Sequence, residues 1–200
     1  MSRAPEDQGG ADLDGVLAFL REAERLKTVR RSGWTSAGER ESVAEHTWRL
    51  CLMAMVLYGR DAAVDLGRLL RICLVHDLGE AIGGDIPAPE QRGSKSAEER
   101  TDLLEVLAPL PAVIRGDILA LWDDYESGGS VEARLAKGLD KLETILQHTQ
   151  GLNPAEFDYR FNLGYGRDHT GHDPLLAAIR DRLDADTARR AEETGGREGG

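Results

Sequence analysis

The sequence predicts an all-α domain of about six to eight helices, and three observations carry that expectation. Apolar residues recur at spacings of three and four along almost every periodic segment. No segment shows the sustained alternation of a half-buried strand. Ser, Asp, Gly and Pro fall where helix caps and stops belong. With 200 residues, 40% hydrophobic and 30% charged, the chain has the size and composition of one soluble globular domain. We expect that domain over residues 12–191, between disordered tails at 1–11 and 192–200 that are rich in Gly and charge.

The first helix should run from about Leu13 to Val29. Leu13, Leu17, Leu20, Glu24 and Lys27 trace one face, and Val16, Phe19, Ala23 and Leu26 the face beside it. It ends in Lys27, Arg30 and Arg31, followed by Ser32-Gly33-Trp34. Cations there either complement the helix dipole or form a phosphate clamp beside a stacking Trp34. Ser42-Val43-Ala44-Glu45 is a capping box that opens the second helix. Val43, His46, Leu50, Met53 and Leu57 then mark a buried stripe with His46 in its first turn. A single imidazole on an apolar face is usually a core residue, so the next helix matters.

That third helix should span about Ala62 to Leu78. Leu66, Leu69, Cys73 and His76 share a face, so an imidazole again falls on the buried stripe, next to Asp77. Buried polar groups must be paired, and a divalent metal is one way to pair them. Gly79, Gly83 and Gly84, then Pro87 and Pro89, break the chain into a tight loop that carries Glu80 and Asp85. Further helices are expected over Ser96 to Leu107, opened by Ser96-Ala97-Glu98-Glu99, over Ala112 to Glu126, and over Val131 to Thr149, capped by Ser130. In the last of these, Ala133, Ala136, Asp140 and Thr144 form a face of small residues holding one carboxylate. Close helix approach would bring Asp140 inward; pairing with Lys137 or Thr144 would leave it exposed. Residues 151–173 form a long aromatic-containing connection, where His169 and His172 are either a second metal site or solvated loop side chains. Asp173-Pro174 then caps a last helix to about Ala191.

The net charge of −11 disfavours nucleic acid polymers and anionic membranes as partners. It leaves room for a small anionic substrate, because a metal and a few cations reverse the local potential. Two cysteines, Cys51 and Cys73, sit in apolar helical segments and read as thiols of a reducing, cytoplasmic compartment. The polar, acidic start of the chain reads as no signal peptide, and no apolar run is long enough to span a bilayer.

Collected, His46, His76, Asp77 and Asp140 offer two imidazoles and two carboxylates from three helices. Such a site suits borderline ions such as Mn²⁺, Co²⁺, Fe²⁺, Ni²⁺ or Zn²⁺. The order of these residues resembles the HD-domain phosphohydrolases. Ser-Val-Ala-Glu-His46, His76-Asp77-Leu-Gly-Glu80, Gly84-Asp85-Ile-Pro and Leu-Asp140-Lys141-Leu-Glu together resemble the 5′-deoxynucleotidase branch, over roughly residues 13 to 150. The resemblance implies an HD-domain helical bundle that binds one divalent ion, Co²⁺ or Mn²⁺ first and Mg²⁺ among the alternatives, and dephosphorylates (deoxy)nucleoside 5′-monophosphates. It implies His46, His76, Asp77 and Asp140 as ligands, Glu80 and Asp85 as catalytic carboxylates, and a homodimer. Arg31 and Trp34 correspond to an Arg-Trp substrate-binding pair, here interrupted by Ser-Gly, and Lys141, beside Asp140, is placed to pair either with phosphate or with a carboxylate behind the ligands. No His lies between Leu78 and Leu139, which argues against the dinuclear oxygenases of the same superfamily. Alternatives are hydrolysis of a more specialised nucleotide, or a nucleotide-binding module without catalysis.

Overall fold

The computed structural model describes residues 8–86 and 95–195. The expected tail residues 1–7 and 196–200, and the Pro87 to Pro89 part of the expected turn, lie outside the described residues. Helix α1 (Gln8–Ala23) continues into a 3-10 turn at Glu24–Lys27. It starts before Leu13, inside the stretch expected as a tail. Val16, Phe19, Ala23 and Leu26 face the core, while the Leu13, Leu17, Leu20 stripe stays on the surface.

A two-stranded antiparallel ribbon follows, β1 (Arg30–Trp34) and β2 (Arg40–Ser42), which the helical expectation did not include. Its strands are too short to show alternation. Gly33 lets β1 lie directly on a helix, because a Cβ there would sit 3.0 Å from Gln147 Cγ and 3.2 Å from His148 Cδ2.

The expected capping box opens α2 (Val43–Tyr58): Glu45 N–H donates to Ser42 Oγ, and Ser42 N–H donates to the Glu45 carboxylate at 2.7 Å. Its buried stripe is Val43, His46, Leu50, Ala54 and Tyr58. Helix α3 (Leu66–Val75) is capped by Asp65 and buries Leu69, Ile72, Cys73 and Val75. It ends earlier than expected, leaving His76 as its C-cap and Asp77 in the turn beyond. Glu80, expected on a loop, instead opens the one-turn α4 (Glu80–Gly83). Helix α5 (Lys95–Leu107) starts at Lys95, so Ser96 lies within its first turn and is not its cap. Helix α6 (Ala112–Ser127) stops at Gly128, whose φ is +62°.

Helix α7 (Val131–Gln150) is the central element, packed on α2, α3, α6 and the ribbon. It is buried on nearly every side: Leu135, Leu139, Leu142 and Ile145 join the apolar core, and Asp140, Glu143, Thr144, Gln147 and His148 form a buried polar stripe. The connection after it holds a 3-10 turn at Tyr159–Leu163 and the one-turn α8 (Arg167–Thr170). Helix α9 (Pro174–Gly195) closes the bundle against α7. Seven of the helices among the described residues have ten residues or more. No described helix is long and apolar enough to cross a membrane.

Candidate metal centre and active site

The stripes of α2, α3 and α7 meet at one point. His46 Nε2 lies 3.3 Å from Asp140 Oδ1 and 3.8 Å from Asp77 Oδ2. His76 Nε2 lies 3.1 Å from Asp77 Oδ2 and 4.0 Å from Asp140 Oδ1. Bonds of about 2.1 Å to a common ion put adjacent donors roughly 3.0–3.4 Å apart, so these separations fit a slightly expanded coordination shell.

The protons are arranged for the same purpose. His46 Nδ1 donates to Glu143, and His76 Nδ1 donates to the Cys73 carbonyl at 2.8 Å. A carbonyl can only accept, so His76 Nδ1 carries a proton and Nε2 is the ring atom left for a ligand. Both Nε2 atoms are buried without a hydrogen-bond partner. The two carboxylates facing the imidazoles call for positive charge at this point: burial and Arg31 work against a charged His46, but Glu143 and Asp140 raise it to about 9, and a divalent cation would supply that charge in place of the proton.

Three of the donors are also held from behind. Asp140 Oδ2 accepts from Tyr125 Oη at 2.9 Å and from Lys141 Nζ at 2.8 Å, leaving Oδ1 turned to the imidazoles. Trp122 Nε1 donates to the His76 carbonyl at 3.0 Å, and the Tyr125 ring packs 5.0 Å from the His76 ring. Asp77 is held differently: Oδ2, the atom that faces both imidazoles, itself accepts from Arg31 Nη1 at 3.4 Å. Glu143, fully buried, accepts from Arg49 Nε at 2.6 Å as well as from His46.

Burial alone would raise both carboxylates. His76, Arg31 and His46 outweigh it at Asp77, and Lys141 with the two imidazoles outweighs it at Asp140, holding both below the usual carboxylate range. Burial opposes the charge on Arg31 and Lys141 too, yet the nearby carboxylates, Asp77 for Arg31 and Asp140 for Lys141 above all, keep them charged. Glu41 goes the other way: burial and the neighbouring Glu143 push it up to about 7, against His46, Arg31 and Arg49. Glu41, His46 and Glu143 also cluster, but Arg31 and Arg49, each 3.6 Å from Glu41, make this an ion-pair network behind the first site.

The donors lie at the base of a cavity of about 810 Å³. Of the residues predicted from sequence, Arg31, His76, Asp77, Glu80, Asp85, Asp140 and Lys141 line it, with His46 buried behind them. Glu80 is 5% exposed, and Asp85 is half-buried. Trp34 does not itself line the cavity but packs against Phe157, which does. The ribbon register pairs Trp34 with Arg40, whose guanidinium stands 5.3 Å over the indole, and its ring meets the edge of Phe157. Asp140 points inward, though its partners are Lys141 and Tyr125 and not Lys137. His169 lines the same cavity and His172 is exposed; neither joins a cluster of metal donors among the described residues.

Glu143, Tyr125, Arg49 and His148 were not singled out from the sequence. The signal for two of them was present as polar residues at helical spacing along α7, Asp140, Glu143, Thr144, Gln147 and His148. His148 donates from Nδ1 to Asn162 Oδ1 at 2.9 Å and faces Ser32 Oγ from Nε2. Burial lowers its pKa and keeps it neutral.

Comparison with known proteins gives one consistent picture. The HD domain family model matches residues 23–180. The 5′-deoxynucleotidase HDDC2 of Mus musculus is 37% identical over 140 residues, covering 68% of this chain and 69% of that protein. The 5′-deoxynucleotidase HDDC2 of Dictyostelium discoideum is 31% identical over 189 residues, covering 87% and 99%. Among solved structures, a "predicted metal-dependent phosphohydrolase" from Magnetospirillum magnetotacticum MS-1 superposes with a TM-score of 0.71 at 27% identity, over 94% of this chain and 97% of that one.

Proposed function

The chain belongs to the HD domain family, and on that footing we propose that it is a metal-dependent phosphomonoesterase that releases phosphate from (deoxy)nucleoside 5′-monophosphates. The observation that carries this reading is the meeting of His46, His76, Asp77 and Asp140 at the base of a cavity that Arg31 and Lys141 also line. The relatives' activity supports it, since a protein matched over 99% of its length is a 5′-deoxynucleotidase.

In this reading His46, His76, Asp77 and Asp140 hold one divalent ion, Co²⁺ or Mn²⁺ before Mg²⁺, Fe²⁺, Ni²⁺ or Zn²⁺. When bound, the ion supplies Lewis-acid charge and lowers the pKa of a water beside it. Arg31 is fixed by Thr144 Oγ1 at 3.0 Å as well as by Asp77, so its charge is positioned for a phosphate before substrate arrives. Lys141, bound to Asp140, adds a second cation on the same wall. Glu80 takes the proton of the attacking water and returns it to the departing 5′-oxygen. Asp85 orients that water and the sugar. Cys51 and Cys73 are both free, which supports a reducing, cytoplasmic setting. The exposed stripe of Trp48, Leu52, Met55 and Val56 on α2 supports a homodimer.

Phosphate release from deoxy- and ribonucleoside 5′-monophosphates tests the reading, alongside cyclic nucleotides and nucleoside triphosphates as other classes. Turnover of 5′-monophosphates with Co²⁺ or Mn²⁺ is the expected result. Turnover of only a phosphodiester or triphosphate would displace it.

A further inference from the structure

The segment after α7 carries four aromatic rings with two different fates. Tyr159 is buried; its hydroxyl accepts from Asn153 Nδ2 at 3.0 Å, and Arg190 stands 5.3 Å over its ring. Phe157 packs edge-on against His148 and Tyr159. These two rings anchor the segment. Phe161 and Tyr165 line the cavity, as Phe157 does, but pack only on each other among the described rings, with centroids 5.5 Å apart and planes 32° from parallel, and Phe161 is 37% exposed.

The backbone between those two rings is tied down. Arg180, from α9, is 3% exposed and donates to the carbonyls of Asn162 (2.7 Å), Leu163 (3.0 Å) and Tyr165, while Asp184 holds its Nε at 2.7 Å. Gly166, at φ +67°, passes so close over Lys141 that a Cβ would lie 2.6 Å from Lys141 Cβ and Cγ. This contact seats Tyr165 beside Lys141, whose ammonium is 5.3 Å from the ring centroid. Along this wall the order is therefore Asp140, Lys141, Tyr165, Phe161, running from a candidate metal donor to a pair of aromatic faces. A nucleotide has the same order: phosphate, sugar, base.

We propose that Phe161 and Tyr165 form the nucleobase-stacking wall of the cavity and set the preference among bases. The inference rests on the reading that the substrate is a nucleotide. Stacking accepts every base and strengthens with the size of the ring system, so the wall admits all four deoxynucleotides and favours purines over pyrimidines.

The test uses the metal-loaded protein and the substitutions Phe161→Ala and Tyr165→Ala, with Phe161→Tyr and Tyr165→Phe as ring-preserving partners. Two quantities are read: the ratio of kcat/KM for dAMP to that for 2-deoxyribose 5-phosphate, and calorimetric binding of deoxyadenosine. The alanine variants should lower both by about 5- to 100-fold, and the ring-preserving ones should stay within about threefold of wild type. If an alanine variant melts early, Phe161→Leu and Tyr165→Leu keep apolar volume while removing the π face. Changes under about twofold in both quantities, in a protein that turns over dAMP, would overturn the stacking wall and leave the phosphatase reading intact. If the wild type releases no phosphate from any 5′-monophosphate, that reading falls, and deoxyadenosine binding alone decides the wall.

Discussion

At the scale of single residues, His46, His76 and Asp140 each have one atom tied down and another turned to the shared point, whereas Asp77 Oδ2 meets Arg31 and both imidazoles at once, so different neighbours should fail in different ways. Glu80 is buried beside the donors and opens its own helical turn. Glu80→Ala should keep the melting temperature and nearly all metal affinity yet lose about 10²- to 10⁴-fold in kcat. Metal content, a thermal melt and single-turnover phosphate release check this; loss of metal would make Glu80 a ligand instead. Asp77→Ala, measured the same way, should lose metal and activity together, because it removes an anionic donor. Glu143 fixes which nitrogen of His46 carries the proton. Glu143→Gln should weaken metal binding about 10- to 100-fold by calorimetric titration, more than it lowers kcat at saturating metal. An unchanged metal affinity would make Glu143 only a partner for Arg49. His46 and His76 were legible in the sequence because imidazoles on apolar stripes are conspicuous. Tyr125 was not, because an aromatic residue on a core helix gives no sign that its hydroxyl will meet a carboxylate of another helix.

At the scale of elements, the ribbon matters because it delivers Arg31. Its position depends on Gly33 lying flat on α7. Gly33→Val should push β1 off Gln147 and His148, cost about 1–3 kcal/mol of stability, and raise KM for the nucleotide as Arg31 moves. Urea denaturation and steady-state kinetics report the two effects; an unchanged KM would detach Arg31 from phosphate binding. Helix α7 predicts a pH effect through His148, which burial keeps neutral below its usual range. The unfolded chain protonates it near 6.5 and the folded chain does not, so folding stability should fall as pH drops through about 6.5. Unfolding curves from pH 8 to pH 5 should therefore be flatter for His148→Gln than for wild type. Equal pH dependence would show that the imidazole titrates freely in the fold. The long helices were legible from periodicity and caps, Ser42 above all. The ribbon was not, because three- and five-residue strands have no period to read, and neither was its pairing of Trp34 with Arg40. The residues that order the 151–173 segment were equally hidden, since Arg180 reaches it from α9.

At the scale of the whole molecule, a chain of net charge −11 sets Arg31, Lys137, Lys141 and Arg167 among the carboxylates that line its cavity. Arg31 and Lys141 line the cavity, held charged by the same carboxylates that face the imidazoles. The fold class could be read from spacing alone, whereas the closeness of α2, α3 and α7 at one point needed the three-dimensional packing. The central claim is that this point holds one ion and that phosphate release depends on it. The most direct measurement is a titration of chelator-stripped protein with Co²⁺ or Mn²⁺ while phosphate release from dAMP is followed. Activity should be absent after stripping and rise linearly to a plateau at one ion per chain. Full activity in the stripped protein, or a plateau only at two ions per chain, would contradict the account.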